Sequence, residues 1–157
     1  MNNAGLIATK IHGVKIQPLK AHHDERGWLM ELFRDDERIE NMRPVMGYLS
    51  TTFPGVARGP HEHHHQTDLF AFLFGEFELR LWENRSNFTK QDEIYVVGER
   101  EPVRVGVPPG VVHAYKNIGS KDAFVLNFPD QLYAGYGRSE PVDEIRYEDF
   151  SHPRFKF

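Results

Sequence analysis

The chain contains no cysteine, and this absence excludes disulfide bonds and thiolate metal sites. It fits a reducing compartment, so we expect a cytoplasmic protein. Long apolar runs are missing as well: the longest one near the middle of the chain, Leu69 to Phe74, is far too short to cross a bilayer. Met1 to Thr9 has neither a basic segment nor a sustained apolar stretch, which predicts no signal peptide and no membrane partner. An excess of basic residues is also absent, because the net charge is −4, so nucleic acid is not an expected partner.

The residues that are present indicate many short strands. The chain of 157 residues is long enough for one domain, and its thirteen glycines and ten prolines are scattered as turn residues. Segments typical of strands lie at residues 10–19, 27–33, 44–53, 69–74, 77–82, 94–97, 103–107, 112–115 and 124–128. Their close spacing predicts an all-β fold, either a β-sandwich or a double-stranded β-helix of the jelly-roll class.

The same pattern predicts how the domain is organised. We expect N-terminal strands over residues 10–33, a barrel core over 44–128 and a C-terminal wrap over 129–157, all within a single domain spanning 1–157. The charged residues 35–42 are expected to form a solvated connection.

Three histidines and one acid carry the chemistry that the sequence suggests. His61 and His63 are two residues apart, so on a strand their side chains point to the same face. Asp68 follows them, and His113 lies in a second short stretch further along the chain. If these segments are neighbouring strands, the four side chains meet inside a barrel. Such a cluster is either a metal site or an acid–base pocket.

The spacing of these residues resembles the cupin superfamily. Its first motif (glycine, His-x-His, an acid and glycine) and its second (Pro-x-Gly, His and Asn) are matched by Gly55, His61, His63, Asp68, Gly75, Pro108, Gly110, His113 and Asn117. Asp68 stands where the family usually has Glu. The resemblance implies a cupin-type jelly roll with a divalent ion (Zn, Fe, Mn or Ni) held by His61, His63, Asp68 and His113. The alternative is that His61 and His63 are hydrogen-bonded barrel residues without an ion.

A narrower resemblance covers residues 20–147. The motifs that carry it are Asp24-x-Arg26-Gly27-x-Leu29-x-Glu31, Arg58-Gly59-Pro60-His61, Gln66-x-Asp68-Leu69, Gly75, Arg85 and Pro108-Pro109-Gly110-Val111-Val112-His113. Together they are similar to the dTDP-4-dehydrorhamnose 3,5-epimerase family, and the related sugar 3,4-ketoisomerases share the Arg-Gly-x-His-x-His core. This resemblance implies proton abstraction next to the ketone of a nucleotide-linked 4-keto-6-deoxy sugar, with no cofactor required.

The epimerase resemblance also implies roles for individual residues. His61 matches the family's base, and Tyr133 matches its acid, with Tyr136 as the alternative. Contacts to nucleotide, diphosphate and sugar are implied for Arg26, Glu31, Arg58, Arg85 and His113, and guanidinium groups suit phosphate oxygens. The family also tends to form homodimers in which residues near Arg26 reach the partner's site, so we expect a homodimer.

Two departures weigh against strict 3,5-epimerisation. Asp68 occupies the position of a family lysine near the developing enolate, and the chain stops at Phe157, before an aspartate that orients the base in the family. A metal held by His63, Asp68 and His113 could replace the lysine as Lewis acid, but His61 cannot be both a ligand and a free base. Two other functions stay open: a metal-dependent cupin dioxygenase or isomerase acting on another small molecule, and a non-catalytic cupin that binds a sugar.

Overall fold

The computed structural model describes residues 5–37 and 42–157. Twelve strands occur in these residues: β1 (Lys15–Pro18), β2 (Ala21–Asp24), β3 (Gly27–Met30), β4 (Tyr48–Thr52), β5 (Ala57–Glu62), β6 (Asp68–Phe74), β7 (Glu76–Glu83), β8 (Asp92–Gly98), β9 (Val103–Val107), β10 (Val111–Asn117), β11 (Ala123–Asn127) and β12 (Ile145–Arg146). Two single 3₁₀ turns, at Tyr136–Arg138 and Tyr147–Asp149, are the helical elements of the described chain, and none of these is long and apolar enough to cross a membrane.

The strands form two five-stranded antiparallel sheets and one hairpin. The first sheet has the order β1-β9-β6-β11-β4, and the second has the order β12-β5-β10-β7-β8. The hairpin pairs β2 with β3. Apart from the consecutive strands β7 and β8, neighbours in the two sheets are not consecutive in the chain, as expected of a jelly roll. The prediction of an all-β jelly roll is confirmed.

The core lies between the two sheets, and the sequence pattern explains it. Strand β7 alternates, so Phe77, Leu79 and Leu81 are fully buried while the residues between them are partly exposed or hydrogen-bonded. Strand β6 is buried along almost its whole length, as its uniformly apolar sequence predicts. Phe72 of β6 packs edge-on against Phe77, with ring centroids 5.4 Å apart. Aromatic side chains thus join the two sheets.

Several predicted boundaries differ from the structure. The first strand is shorter than predicted, and β2 and β12 fall in segments where we predicted no separate strand. The strand expected to carry both His61 and His63 is β5, and it ends at Glu62, before His63. Of the predicted solvated connection, residues 38–41 lie outside the described chain, and residues 35–37 are exposed as predicted. Met42 is wrongly placed in it, because its side chain is buried.

The C-terminal segment lies along the outer face of the second sheet. Strand β12 pairs with the end of β5, where Arg146 is opposite His61 and Ile145 is opposite Glu62. Further on, the buried Phe155 packs against Trp82 of β7. The segment therefore supports the strand that carries His61.

Candidate active site

His61 and His113 are directly opposite each other on β5 and β10. Their ring centroids are 4.4 Å apart and their planes are almost perpendicular. The two strands approach closely because Gly59 adopts a φ of +80° and has no side chain: a Cβ there would lie 2.6 Å from the carbonyl oxygen of His113. A glycine at this position is therefore required for the imidazole pair.

His63 follows β5 and is held on both ring nitrogens. Its Nδ1 contacts the carbonyl oxygen of Asp143, and its Nε2 lies 3.0 Å from Oδ2 of Asp68. Burial is the largest influence on His63 and lowers its pKa. The contact with the charged carboxylate of Asp68, together with the carbonyl of Asp143, outweighs burial and raises that pKa to about 9. His63 is therefore an imidazolium paired with a carboxylate at neutral pH in the absence of a metal.

Asp68 lies at the floor of the site, and its side chain is 1% exposed. Its Oδ1 accepts hydrogen bonds from Gln66 (2.9 Å) and from Asn127 (2.7 Å). Burial would raise the pKa of Asp68, but the imidazoles of His113 and His63 hold it below the usual range of a carboxyl group. Asp68 is therefore ionised.

His113 is fully buried, and its Nδ1 lies 3.1 Å from the carbonyl oxygen of Val111. Its Nε2 lies 3.3 Å from Oδ2 of Asp68, but neither atom makes a well-directed hydrogen bond within the described part of the chain. Buried polar atoms without a partner are rare in folded proteins.

His61 and His63 both line the cleft, and His61 is the more exposed of the two, with 15% of its side chain exposed against 9% for His63. Burial, followed by the charge of His113, lowers the pKa of His61 well below its ordinary value. Its Nδ1 lies 3.9 Å from Oε1 of Glu144. A neutral imidazole at the wall of a cleft can accept a proton or bind a metal.

The donor set of the site fits a divalent ion. One ring nitrogen from each of His61, His63 and His113 can be chosen so that all three lie within 4.8 Å of one another. Nε2 of His113 lies 3.3 Å from Oδ2 of Asp68, and Nε2 of His63 lies 3.0 Å from the same oxygen, so the carboxylate lies beside two of the three imidazoles. Three imidazoles with a carboxylate suit zinc or another divalent transition metal.

A cleft of about 890 Å³ opens above the histidines. Of the residues for which the sequence suggested a role, it is lined by Arg58, His61, His63, Tyr133 and Tyr136. Arg58 donates hydrogen bonds to the carbonyl oxygen of Thr51 and to the hydroxyl of Thr52. Tyr133 is 58% exposed, and Tyr136 is 85% exposed. Both phenols therefore lie where solvent enters the cleft.

The structure does not bring Arg26, Glu31 or Arg85 to the lining of the cleft. Arg26 pairs with Asp24 and Glu31 pairs with Arg34, all four at the surface. Of the three arginines for which the resemblance implies a substrate contact, Arg58 therefore lines the cleft of a single chain, and Arg26 and Arg85 do not.

Arg85 is held by its own neighbourhood. Its guanidinium pairs with the buried Glu83 and donates to the carbonyl oxygen of His12. It also lies 4.3 Å over the ring of Phe88. This set of contacts fixes Arg85 against the N-terminal segment.

Four residues of the site were not found from the sequence: Tyr48, Asn127, Asp143 and Glu144. Tyr48 lines the cleft and Asn127 binds Asp68. The carboxylate of Asp143 accepts three consecutive backbone N–H groups, from His64, His65 and Gln66, at 2.8–3.0 Å. Asn127 and Asp143 act through contacts between segments about 60 to 80 residues apart, and no local pattern marks such pairs.

Comparison with known proteins places this site in a family. A family model described as the polysaccharide biosynthesis C-terminal domain matches residues 22–138. A relative from Haloferax volcanii, named as a probable low-salt glycan biosynthesis epimerase, is 33% identical over 126 residues, which is 78% of this chain and 81% of the relative. The spore coat polysaccharide biosynthesis protein SpsL of Bacillus subtilis is 34% identical over 125 residues, covering 78% of this chain and 82% of that protein.

A solved structure has the same fold. It is the dTDP-6-deoxy-D-glucose-3,5-epimerase of Legionella pneumophila in complex with dTDP-4-keto-L-rhamnose, with a TM-score of 0.76 and 23% identity, covering 90% of this chain and 76% of that chain. The predicted cupin-type jelly roll, and the resemblance to this group of epimerases, are confirmed.

Proposed function

The chain belongs to the polysaccharide biosynthesis C-terminal domain family, and we propose that it acts on a nucleotide-linked 4-keto-6-deoxy sugar by removing a proton next to the ketone. A relative that is 33% identical is named as an epimerase, so the predicted isomerase class is confirmed. The observation that carries the proposed substrate is that His61, Arg58 and Tyr133 line one cleft.

Removal of this proton needs a base, and His61 is the base in the proposed reaction. Its ring faces the cleft and is neutral, so a nitrogen lone pair is free to accept a proton. The carbon–hydrogen bond breaks, its electron pair forms a carbon–carbon double bond, and the ketone oxygen becomes an enolate. Return of a proton to the opposite face of that carbon inverts it, and Tyr133 is the acid we propose for this step.

The other substrate contacts are proposed from position and charge. Arg58 provides a cation for the diphosphate at the cleft wall. In a homodimer, the exposed Arg26 and Glu31 could reach the partner's cleft. Trp28 and Leu29 of the hairpin and Leu49 and Phe53 near the β4 edge are between 51% and 64% exposed, and pairing of two chains would cover such apolar side chains.

The experiment is a survey of substrates. The protein is incubated with dTDP-, UDP- and GDP-linked 4-keto-6-deoxyhexoses, and the sugar products are identified by NMR. We expect inversion or keto migration in one of them, and that nucleotide diphosphate should raise the melting temperature. Absence of any change in every sugar, with the protein folded, would exclude the proposal. Sedimentation of the same sample tests the dimer.

A second arrangement of the site is favoured by the buried Nε2 of His113, which has no hydrogen-bond partner in the described part of the chain. In it a divalent ion is held by His61, His63 and His113. Asp68 is the fourth ligand we propose, because its Oδ2 lies 3.0 Å from Nε2 of His63 and 3.3 Å from Nε2 of His113. Such an ion supplies a Lewis acid for the ketone oxygen. His61 is then a ligand and not a free base, so the two arrangements exclude each other.

Metal analysis separates the two arrangements. Metal-free protein with full turnover supports His61 as the base. Loss of turnover on chelation, with recovery on adding zinc, supports the metal site. A His113→Ala variant that still binds zinc as tightly as the native protein in calorimetry would refute the proposed ligand set.

We further propose that residues 1–157 form one domain and that the protein functions in the cytoplasm.

A further inference from the structure

Tyr48 is a cleft residue whose hydroxyl group is oriented by the fold. It lies on β4, directly opposite Asn127 on β11. Because side chains alternate on a strand, Tyr48 and Ser50 share one face of β4, and both line the cleft. Tyr48 belongs to the first sheet, and His61 belongs to the second. The two residues therefore reach the cleft from its two opposing walls.

The side-chain amide of Asn127 determines which way the Tyr48 hydroxyl points. The Asn127 oxygen accepts the backbone N–H of Leu69 at 3.1 Å, which identifies the other end of the amide as the NH₂ group. That nitrogen donates one hydrogen to Oδ1 of Asp68 at 2.7 Å and the other to the hydroxyl oxygen of Tyr48 at 2.9 Å. Both amide hydrogens are therefore used, and Tyr48 is the acceptor in its bond to Asn127.

The hydroxyl proton of Tyr48 is left without an acceptor in the part of the chain that the structure describes. A hydroxyl that accepts one hydrogen bond still has its own proton to donate. Burial, with smaller effects from its neighbours, raises the pKa of Tyr48 to about 12, so the phenol keeps this proton at neutral pH. Tyr48 lines the cleft and Asn127 holds its oxygen in place, so this donor is available to a ligand in the cleft.

Other hydroxyl groups of the cleft are less well placed as fixed donors. Tyr48 is 46% exposed, Tyr133 is 58% and Tyr136 is 85%, so what sets Tyr48 apart is the hydrogen bond from Asn127 that fixes its oxygen. The hydroxyl of Tyr115 lies 3.3 Å from that of Ser50. A donor that is already fixed stabilises developing charge more than one that must first be ordered.

We propose that the hydroxyl of Tyr48 donates a hydrogen bond to the ketone oxygen of the sugar and stabilises the enolate that forms when the neighbouring proton is removed. This inference rests on the proposed function. No proton is transferred from Tyr48: the electron pair of the broken carbon–hydrogen bond moves toward the ketone oxygen, and the hydrogen bond from Tyr48 strengthens as that oxygen becomes negative. Base and donor thus come from opposite walls of the cleft.

The test is the Tyr48→Phe variant, which removes only the hydroxyl. In deuterated water, the rate of deuterium incorporation next to the ketone of the substrate is measured by mass spectrometry. We expect kcat for this exchange to fall about 100-fold, as on removal of one oxyanion donor, while KM stays within about threefold. Calorimetric affinity for the nucleotide diphosphate alone should not change, because that ligand has no ketone.

Tyr95→Phe is the matched control. Tyr95 lies on β8, outside the cleft lining, and its hydroxyl faces the carbonyl oxygen of Ala8. This variant should exchange deuterium at the native rate. Melting temperatures of both variants show whether the fold is intact.

The possible outcomes separate the two proposals. Tyr48→Phe with an exchange rate within about twofold of the native protein would refute the role of Tyr48 and leave the proposed function standing. An equal loss in kcat and in nucleotide affinity would also refute it, since that pattern indicates a disturbed cleft. Native protein that exchanges no deuterium into any of the keto sugars would instead overturn the proposed function itself.

Discussion

The carboxylate of Asp143 is the clearest place to perturb the wall of the cleft. It accepts the backbone N–H groups of three successive residues, 64–66, while the carbonyl oxygen of the same residue contacts His63. Burial would raise the pKa of Asp143, but these three N–H groups lower it. Asp143→Ala deletes the carboxylate and leaves the carbonyl in place.

The expected cost follows from the three bonds. A hydrogen bond to a charged group contributes about 1.5–3 kcal/mol to stability. The loop is partly exposed, so water replaces part of each bond, and the three bonds are not additive. We therefore expect Asp143→Ala to lower the free energy of unfolding by about 2–4 kcal/mol.

Urea denaturation measures this loss, and amide hydrogen exchange should quicken at residues 64–66. Asp122→Ala is a suitable control, because Asp122 is exposed between β10 and β11 and its replacement should change stability by less than about 0.5 kcal/mol. If Asp143→Ala lost no more than this control, the carboxylate would not anchor the loop, and our account of the cleft wall would be wrong.

Two further predictions concern the supports of the barrel. Phe155 is 7% exposed, and its ring centroid lies 4.8 Å from that of Tyr147. Phe155→Ala should therefore lower the free energy of unfolding, measured by urea denaturation, by about 3–5 kcal/mol. A loss below about 1 kcal/mol would show that the C-terminal segment does not stabilise the sheet. For Glu83, burial would raise the pKa, but the hydrogen bonds and charge of Arg85 hold it below the ordinary 4.5. Because the folded pKa is lower than the unfolded one, the pair stabilises the protein above about pH 4.5 and loses this effect as the pH falls. Glu83→Gln should therefore have a lower free energy of unfolding at neutral pH and should lose less of it on acidification. If the free energy of unfolding of the variant fell with pH as steeply as that of the native protein, this prediction would be wrong.

Much of the fold could be predicted because it depends on local patterns. The alternation of β7 and the uniformly apolar β6 identify one-sided and two-sided burial from single segments. The spacing of His61 and His63 likewise placed two imidazoles on one face. Their meeting with His113 needed the resemblance to a known family, because strand pairing across such a separation has no local signature.

The rest of the site depends on contacts that local patterns do not encode. Tyr48 looked like one apolar residue of a strand, and only its register opposite Asn127 shows how its hydroxyl is held. Arg85 matches a phosphate ligand of the family by position, but its guanidinium pairs with Glu83, two residues earlier, and does not line the cleft of this chain. Strand β12 is too short for its pattern to stand out, and pairing with β5 is what makes it a strand.

The central claim is that this chain removes a proton next to a sugar ketone with His61 as the base. The direct measurement is deuterium uptake from heavy water into a nucleotide-linked 4-keto-6-deoxy sugar, for the native protein and for His61→Asn. We predict uptake at a carbon next to the ketone by the native protein, and a rate at least about 1,000-fold lower in the variant. Conversion of the sugar by the native protein without deuterium uptake, or uptake by His61→Asn at the native rate, would contradict the account.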